Sequence, residues 1–151
     1  MSILREMRLL AVSIGKDGSF LDAARLLLGG RVSAIAVVDE SERVVGLFTD
    51  DDLLRGLFPP YLDELHHTAF LVDDVEALQA SAKRAADDSV ARHMRDPVIV
   101  EIDAAPIHVV ERFLHTPWGA LAVVEGERFV GMVEQLEFTE HLMRRLDLPA
   151  G

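Results

Sequence analysis

The stretch SAIAVVD at residues 33–39 returns as GALAVVE at residues 119–125. Each is followed by a short charged turn and a second apolar stretch, VVGLF at residues 44–48 and FVGMV at residues 129–133. Short apolar stretches on both sides of a polar turn predict a β-hairpin. The chain therefore carries the same hairpin twice, which indicates an internal repeat.

The repeat extends outward from both hairpins. At a spacing of 86 residues, the stretch VSI at residues 12–14 aligns with VIV at residues 98–100. A helical pattern follows each first strand, with Ser19 as a cap in the first copy and Pro106 in the first turn of the second. Each copy ends in a closing helix, so the predicted order is β-α-β-β-α, twice. We place the first strands at about 10–14 and 98–102, and the closing helices at about 50–57 and 135–146.

The faces of these helices follow from apolar residues at helical spacing. In the first helix of copy one, the residues assigned to the buried face are Leu21, Ala23, Ala24, Leu27 and Leu28. In the first helix of copy two, they are Ile107, Val110, Phe113 and Leu114.

The predicted fold class is α/β, of the mixed α+β kind, in three parts. Unit 1 covers residues 1–58, a helical insert covers residues 59–92, and unit 2 covers residues 93–151. Within the insert we predict a short helix at about 61–70 and a longer one at about 75–86. The insert packs either on the two units or on a partner.

Composition and charge exclude several classes of function. The chain has 151 residues, with 15 Lys and Arg against 26 Asp and Glu, so its formal net charge is −11. This charge opposes binding to nucleic acid or to an anionic membrane surface. With no cysteine, disulfides, thiolate catalysis and cysteine-ligated metals are excluded. No apolar run reaches the roughly 18 residues that span a bilayer. We therefore expect a cytoplasmic protein that binds neither nucleic acid nor membrane.

The two copies together resemble a tandem pair of cystathionine-β-synthase (CBS) domains, also called a Bateman module. The resemblance rests on the repeated A-x-A-V-V-[DE] hairpin with its following Val-Gly, and it covers roughly residues 8–57 and 93–146. It implies two β-α-β-β-α units related by a pseudo-twofold axis, with two clefts between them. In this family such clefts commonly bind AMP, ADP, ATP, S-adenosylmethionine or dinucleotides.

The resemblance also implies a ligand motif, Gly-h-x-[Ser/Thr]-x-x-Asp, where h is apolar. Unit 1 matches it at residues 46–52, with Thr49 at the hydroxyl position and Asp52 at the carboxylate that would bind a ribose. In the family, the motif of one unit meets the first strand and hairpin of the other. The implied ligand-binding residues are Gly46, Leu47, Thr49, Asp51, Asp52, Pro97, Val98, Trp118, Gly119 and Ala120.

Unit 2 departs from the motif. Glu134 replaces the hydroxyl and Glu137 replaces the aspartate, so this cleft should disfavour a phosphate. We expect one usable cleft at most. Near it, Arg92, His93 and Arg95 are the basic residues within reach of a phosphate.

Each of these residues has a simpler structural interpretation. Thr49 can be a helix cap, with Asp50, Asp51 and Asp52 favouring the first helical turn. Trp118, the only tryptophan, can fill the cleft or the core instead of stacking on a base. His66 and His67 are adjacent, so on a helix they diverge by about 100° and do not form a metal site. We predict no metal ligands and no catalytic residues.

We therefore expect a stand-alone regulatory CBS-pair protein, not an enzyme, with no required cofactor. Its regulatory ligand would be AMP, ADP, ATP or S-adenosylmethionine, bound in one cleft, and it would signal to an unknown protein partner. The alternative is a ligand-free interaction module with degenerate sites. The resemblance also implies a homodimer formed through helices of both units. The expected contact residues are Leu53, Leu54, Leu57 and Phe58 in unit 1, and Leu136, Phe138, Leu142, Met143 and Leu146 in unit 2.

Overall fold

A computed structural model describes residues 2–58 and 75–151. The part of the insert from 59 to 74 lies outside them, as does the short helix expected at 61–70. Within the described residues the chain forms two three-stranded sheets with the same topology. The elements in chain order are α1 (Ile3–Glu6), β1 (Ser13–Gly15), α2 (Phe20–Gly30), β2 (Ala34–Val38), β3 (Val44–Thr49), α3 (Asp50–Leu57), α4 (Val75–Ala86), β4 (Ile99–Glu101), α5 (Pro106–Leu114), β5 (Ala120–Glu125), β6 (Arg128–Glu134) and α6 (Gln135–Arg145).

The two units repeat each other in pairing and register, as the sequence predicts. In unit 1, β1 runs parallel to β2, and β2 pairs antiparallel with β3; in unit 2, β4, β5 and β6 pair in the same way. Ser13 pairs with Ala36, and Ile99 pairs with Ala122. The β-α-β-β-α order is therefore confirmed in both units, and the fold is mixed α+β.

Strand alternation gives each central strand two different faces. Ile35 and Val37 of β2 face the core of unit 1, and the alanines Ala34 and Ala36 lie in a separate cluster between the units. In unit 2, Ala120 and Ala122 of β5 join that same cluster, and Leu121 and Val123 face the core of unit 2. The repeated A-x-A pattern thus supplies small side chains where the two sheets approach each other.

Each unit is completed by a segment that precedes the other unit. Ile3 and Leu4 of α1 are fully buried in the core of unit 2. Ala85 of α4 and the following Val90 are buried in the core of unit 1. The helix predicted at 75–86 is confirmed, and it contacts α2 and α3 of unit 1.

The predicted first strand of unit 1 is longer than the strand in the structure. Residues 10–14 were assigned to it, but β1 spans only Ser13–Gly15. The physical reason is that Leu10 crosses to unit 2, where its N–H and carbonyl bond Met132 of β6 at 3.0 and 2.7 Å.

Some apolar residues assigned to buried faces are exposed. Leu21 and Leu28 of α2, and Ile107 and Leu114 of α5, all face solvent. Ala23, Ala24 and Leu27 of α2 and Phe113 of α5 are buried as predicted. Phe20 and Val109, which were not assigned to these faces, are buried beside them. No helix in the described part of the chain is both long and apolar enough to cross a membrane.

Candidate ligand-binding cleft

The position of the cleft is set by the segment before β4, which passes from unit 2 to the sheet of unit 1. Arg95 precedes β4 of unit 2, but its backbone pairs with Leu47 of β3 in unit 1. The Leu47 N–H donates to the Arg95 carbonyl at 3.0 Å, and the Arg95 N–H donates to the Leu47 carbonyl at 2.9 Å. This crossing carries the Arg95 side chain to the start of α3.

The start of α3 is a capping box formed by Thr49 and Asp52. The Asp52 N–H donates to Thr49 Oγ1 at 3.2 Å, and the Thr49 N–H donates to Asp52 Oδ2 at 3.0 Å. The Thr49 hydroxyl also donates to Asp52 Oδ2, at 2.8 Å. The capping interpretation of Thr49 is therefore correct, and the cap fixes the position of the Asp52 carboxylate.

Arg95 binds that carboxylate with two hydrogen bonds. Its Nε donates to Asp52 Oδ2 at 3.0 Å, and one terminal nitrogen donates to Oδ1 at 2.8 Å. Burial of Asp52 acts to raise its pKa, but the bonds from Arg95 and Thr49 outweigh burial and hold the pKa below its ordinary value. The side chains of Asp52 and Arg95 are 8% and 24% exposed, so the ion pair is largely shielded from water.

Trp118 lies against the other side of the guanidinium. The Arg95 Cζ is 4.6 Å from the centre of the indole ring, which is cation–π geometry. Trp118 Nε1 is buried and has no hydrogen-bond partner among the described residues. We call this group of four side chains, Thr49 and Asp52 from unit 1 with Arg95 and Trp118 from unit 2, the Asp52 cleft.

The remaining predicted residues lie around this group in different ways. Leu47 and Ala120 are fully buried, and Val98 and Trp118 pack partly buried against the cluster between the units. Gly119 takes a left-handed backbone conformation with φ of 72°, and its carbonyl accepts the N–H of Gln135. Asp51 and Pro97 are exposed.

Of the three basic residues expected near the cleft, Arg95 alone contacts Asp52. Arg92 forms a surface ion pair with Asp88 at 3.4 Å. His93 also contacts Asp88, with Nε2 at 3.0 Å from Oδ2, and its ring lies 4.7 Å from that of Phe20. The direct Arg95–Asp52 bond was not predicted. The signal for it is that unit 1 has the apolar residues Leu9 and Leu10 before its first strand, where unit 2 has Arg95.

The equivalent cleft on the other side has different chemistry. There Leu10 pairs with Met132 as Arg95 pairs with Leu47, and Val32 stands where Trp118 stands. Both carboxylate oxygens of Glu134 accept hydrogen bonds from Ser33, whose N–H and hydroxyl donate at 3.0 to 3.2 Å. We call this group, Leu10, Val32, Ser33, Glu134 and Glu137, the Glu134 cleft.

The described residues hold no group of three or more His, Asp or Glu side chains placed to bind a metal ion. His66 and His67 lie outside these residues.

Comparison with known proteins gives a family and a set of similar folds. The sequence model of the CBS domain matches residues 7–58 and 89–144. The search of curated proteins gives no match.

Three solved structures illustrate the similarity in fold. A CBS domain-containing protein of unknown function from Kribbella flavida is 20% identical, with a TM-score of 0.72 over 95% of this chain and 98% of its own. The CBS-pair protein CBSX2 from Arabidopsis thaliana is 19% identical, with a TM-score of 0.72 over 98% of each chain. A CBS-domain containing protein from Agrobacterium tumefaciens is 18% identical, with a TM-score of 0.65 over 93% of this chain and 90% of its own.

Proposed function

The chain belongs to the CBS domain family and carries two such domains, and from that premise we propose that it is a cytoplasmic regulatory protein that binds an adenine nucleotide or adenosyl ligand in the Asp52 cleft. Binding there would bridge the two units, because the cleft takes residues from both. A ligand that favours one relative arrangement of the units shifts the population toward it, and a partner protein would sense that shift.

One observation supports the proposal most strongly: the Asp52 cleft brings together three kinds of group that suit a nucleotide. A fixed carboxylate, Asp52, can accept hydrogen bonds from ribose hydroxyls. A guanidinium, Arg95, matches the oxygens of a phosphate. An indole, Trp118, offers a surface for a base, where stacking contributes about 1–3 kcal/mol in nucleic-acid complexes.

The Glu134 cleft lacks two of these groups. It has Leu10 and Val32 in place of the guanidinium and the indole, and its central carboxylate is already bonded to Ser33. A phosphate would meet Glu134 and Glu137 without a cation in the equivalent place. We propose that this cleft does not take part in nucleotide binding.

The test is a ligand screen followed by calorimetry on two matched variants. AMP, ADP, ATP and S-adenosylmethionine are compared by thermal shift, where a ligand at 100 times its Kd adds about 2.7 kcal/mol of stability. Asp52→Asn should lose binding by isothermal calorimetry. Glu137→Gln, the same kind of change at the equivalent place in unit 2, should keep it. Equal loss in both variants would contradict the assignment of the cleft.

A second candidate is a ligand-free interaction module. This candidate is supported by the ion pair of Arg95 and Asp52, because Arg95 already takes hydrogen-bonding positions on the carboxylate that a ligand would need. This candidate predicts no thermal shift with any of the four compounds at millimolar concentration, and a dimer that forms without them.

For the partner surface, we propose a homodimer formed through the closing helices. Leu54 of α3, Leu136 of α6 and Leu146 directly after α6 are exposed, Leu136 by 86%. Leu53 and Phe138, expected at the same contact, are instead buried within their own units. The exposed leucines therefore carry the proposed contact.

A further inference from the structure

The Asp52 carboxylate has little capacity left for a ligand. Its Oδ2 accepts the Thr49 N–H, the Thr49 hydroxyl and the Arg95 Nε, and its Oδ1 accepts a terminal nitrogen of Arg95. A carboxylate offers about four acceptor sites in all. A ribose that donates both hydroxyls to Asp52 must therefore displace Arg95.

Displacement leaves the guanidinium without its counter-ion. Arg95 is three-quarters buried and packed against Trp118, so water can replace the lost carboxylate only in part. Removing one partner from a shielded ion pair is strongly unfavourable. A neutral nucleoside offers the released guanidinium no negative charge in return.

A phosphorylated ligand supplies the replacement. Phosphate oxygens accept the two parallel N–H bonds of a guanidinium as a carboxylate does. The Arg95–Asp52 ion pair would then be replaced by two contacts with the ligand. The diol would bind Asp52, and the phosphate would bind Arg95. Each charged group of the former pair then keeps a hydrogen-bond partner, Arg95 on the phosphate and Asp52 on the diol and Thr49.

We propose that Arg95 is a latch on the Asp52 cleft, which opens for a ligand that carries both a ribose diol and a phosphate and stays closed to the bare nucleoside. This inference rests on the proposed function and names the feature of the ligand that the cleft selects. Arg95 is thus the residue that determines specificity, and the closed pair is the resting state of the cleft.

Comparison of the two clefts within the chain supports a role beyond packing. At the equivalent crossing the chain has Leu10, which makes the same backbone bridge to the opposite unit. The crossing therefore forms with an apolar side chain as well as with an arginine. Of the two clefts, the one with the capping-box aspartate and the indole has the guanidinium, and the other has Leu10 in its place.

The test measures selectivity by calorimetry with AMP and adenosine. The wild-type protein should bind AMP more tightly than adenosine by about tenfold or more, the factor that a charge-assisted hydrogen bond provides. In Arg95→Met, adenosine should bind more tightly than it does to the wild type, and the AMP preference should fall to less than about threefold. Arg92→Met, which removes an exposed arginine three residues away, should behave as the wild type does. If Arg95→Met does not fold, the AMP preference is measured in Arg95→Lys instead. Lysine cannot form the two-bond contact, so the preference should fall there too.

The outcomes separate the latch from the proposed function. An unchanged AMP preference in Arg95→Met overturns the latch and leaves nucleotide binding intact. If neither of these compounds binds to wild type or variant, and ADP, ATP and S-adenosylmethionine do not bind in the screen, both the latch and the proposed function are overturned. Binding of adenosine to Arg95→Met alone, with no AMP binding to the wild type, also overturns the latch, because the phosphate then fails to open the closed ion pair.

A second readout needs no ligand. Trp118 is the only tryptophan, so tryptophan fluorescence reports on the cleft alone. Asp52→Asn should weaken the ion pair, free Arg95 from its position over the indole, and increase quenching by acrylamide. Asp147→Asn, at an exposed position after α6 whose left-handed backbone suits asparagine, should leave quenching unchanged. Equal quenching in Asp52→Asn and the wild type would overturn the latch whatever the binding data show.

Discussion

At the scale of single residues, Gly46 and Gly131 show why the repeated hairpin carries a glycine. A crossing segment from the other unit passes directly over each of them. A side chain at Gly131 would place its Cβ 2.5 Å from Leu9 Cβ and 3.3 Å from the Leu9 carbonyl carbon. At Gly46 it would meet Met94 and the Arg95 carbonyl. The glycines therefore allow the two units to exchange their crossing segments.

Gly131→Ala should lower the free energy of unfolding by about 1–3 kcal/mol, the usual cost of overpacking. The backbone at Leu9 and Leu10 would have to move, because side-chain adjustment alone does not relieve the clash. Urea denaturation measures the change. Gly29→Ala is the matched control, since no atom lies within 4 Å of a Cβ there and alanine favours the helix. Equal effects of the two substitutions would contradict the crossing.

The Asp52 carboxylate also makes stability depend on pH. Arg95 and Thr49 lower its pKa in the folded state despite burial. A lowered pKa means that the stabilisation is fully present above the unfolded value, about 3.9 for aspartate. It is lost as pH falls through the folded value.

Asp52→Asn should therefore cost about 3 kcal/mol at pH 7, because it leaves Arg95 without a partner. The difference from the wild type should shrink as pH is lowered below 4, since the wild-type side chain then becomes neutral too. Denaturation at a series of pH values measures it. Asp51→Asn, exposed in the same helical turn, should change stability little at any pH. A pH-independent difference for Asp52→Asn would contradict the ion pair.

The resemblance to CBS domains made Thr49, Asp52 and Trp118 predictable as neighbours of one cleft, because it implies that the motif of one unit meets the hairpin of the other. The partner of Asp52 was not predictable in the same way. Whether Arg95 reaches Asp52 depends on the direction in which the chain crosses after the insert. Local sequence does not encode that direction; the contrast with Leu10 is the available signal.

At the scale of elements, the units exchange their preceding segments. Ser2 donates its hydroxyl to the Ile102 carbonyl of unit 2, and Ser89 donates its hydroxyl to the Lys16 carbonyl of unit 1. These contacts are related by the repeat, so α1 and the segment after α4 take equivalent places. Each unit depends on a segment that precedes the other for a complete core.

Leu4→Ala should therefore destabilise unit 2, although Leu4 lies before the first strand of unit 1 in sequence. Its side chain is fully buried, and truncation of such a leucine costs about 2–5 kcal/mol. Hydrogen exchange should show faster exchange of the β5 amides before those of β2. Leu28→Ala, at an exposed helical position, should leave both strands unchanged. Faster exchange confined to β2 would contradict the exchanged arrangement.

Element boundaries were predictable where a cap or a turn marks them. The closing helix expected at 50–57 coincides with α3, because Thr49 and Asp52 cap it. The faces of α2 and α5 were less predictable. Apolar spacing alone does not distinguish residues that face the unit's own sheet from residues that face outward, as Leu28 and Leu114 do.

At the scale of the whole molecule, reciprocal ion pairs join the two hairpins. Arg43 contacts Glu127 at 2.5 Å, and Arg128 contacts Glu42 at 2.6 Å. The repeat relates the two arginines and the two glutamates to each other. All four side chains are exposed, so these pairs add little stability. These ion pairs follow the symmetry of the repeat. The two clefts depart from it, because their side chains differ.

Leu136→Asp should convert the proposed homodimer into a monomer. A charge at the centre of an apolar contact is costly to bury, while the exposed position in the single chain tolerates it. Sedimentation equilibrium should give twice the chain mass for the wild type and one chain mass for the variant. Leu28→Asp, at an exposed position of α2 outside the proposed contact, should remain dimeric. A monomeric wild type would contradict the proposed contact.

The most direct test of the account is the number of AMP molecules bound per chain, measured by isothermal calorimetry at a protein concentration well above the Kd. The chemistry of the two clefts predicts one AMP per chain, with loss of that binding in Asp52→Asn and its retention in Glu137→Gln. Two AMP per chain would contradict the assignment of a single binding cleft, and no binding of AMP, ADP, ATP or S-adenosylmethionine at millimolar concentration would contradict the proposed function.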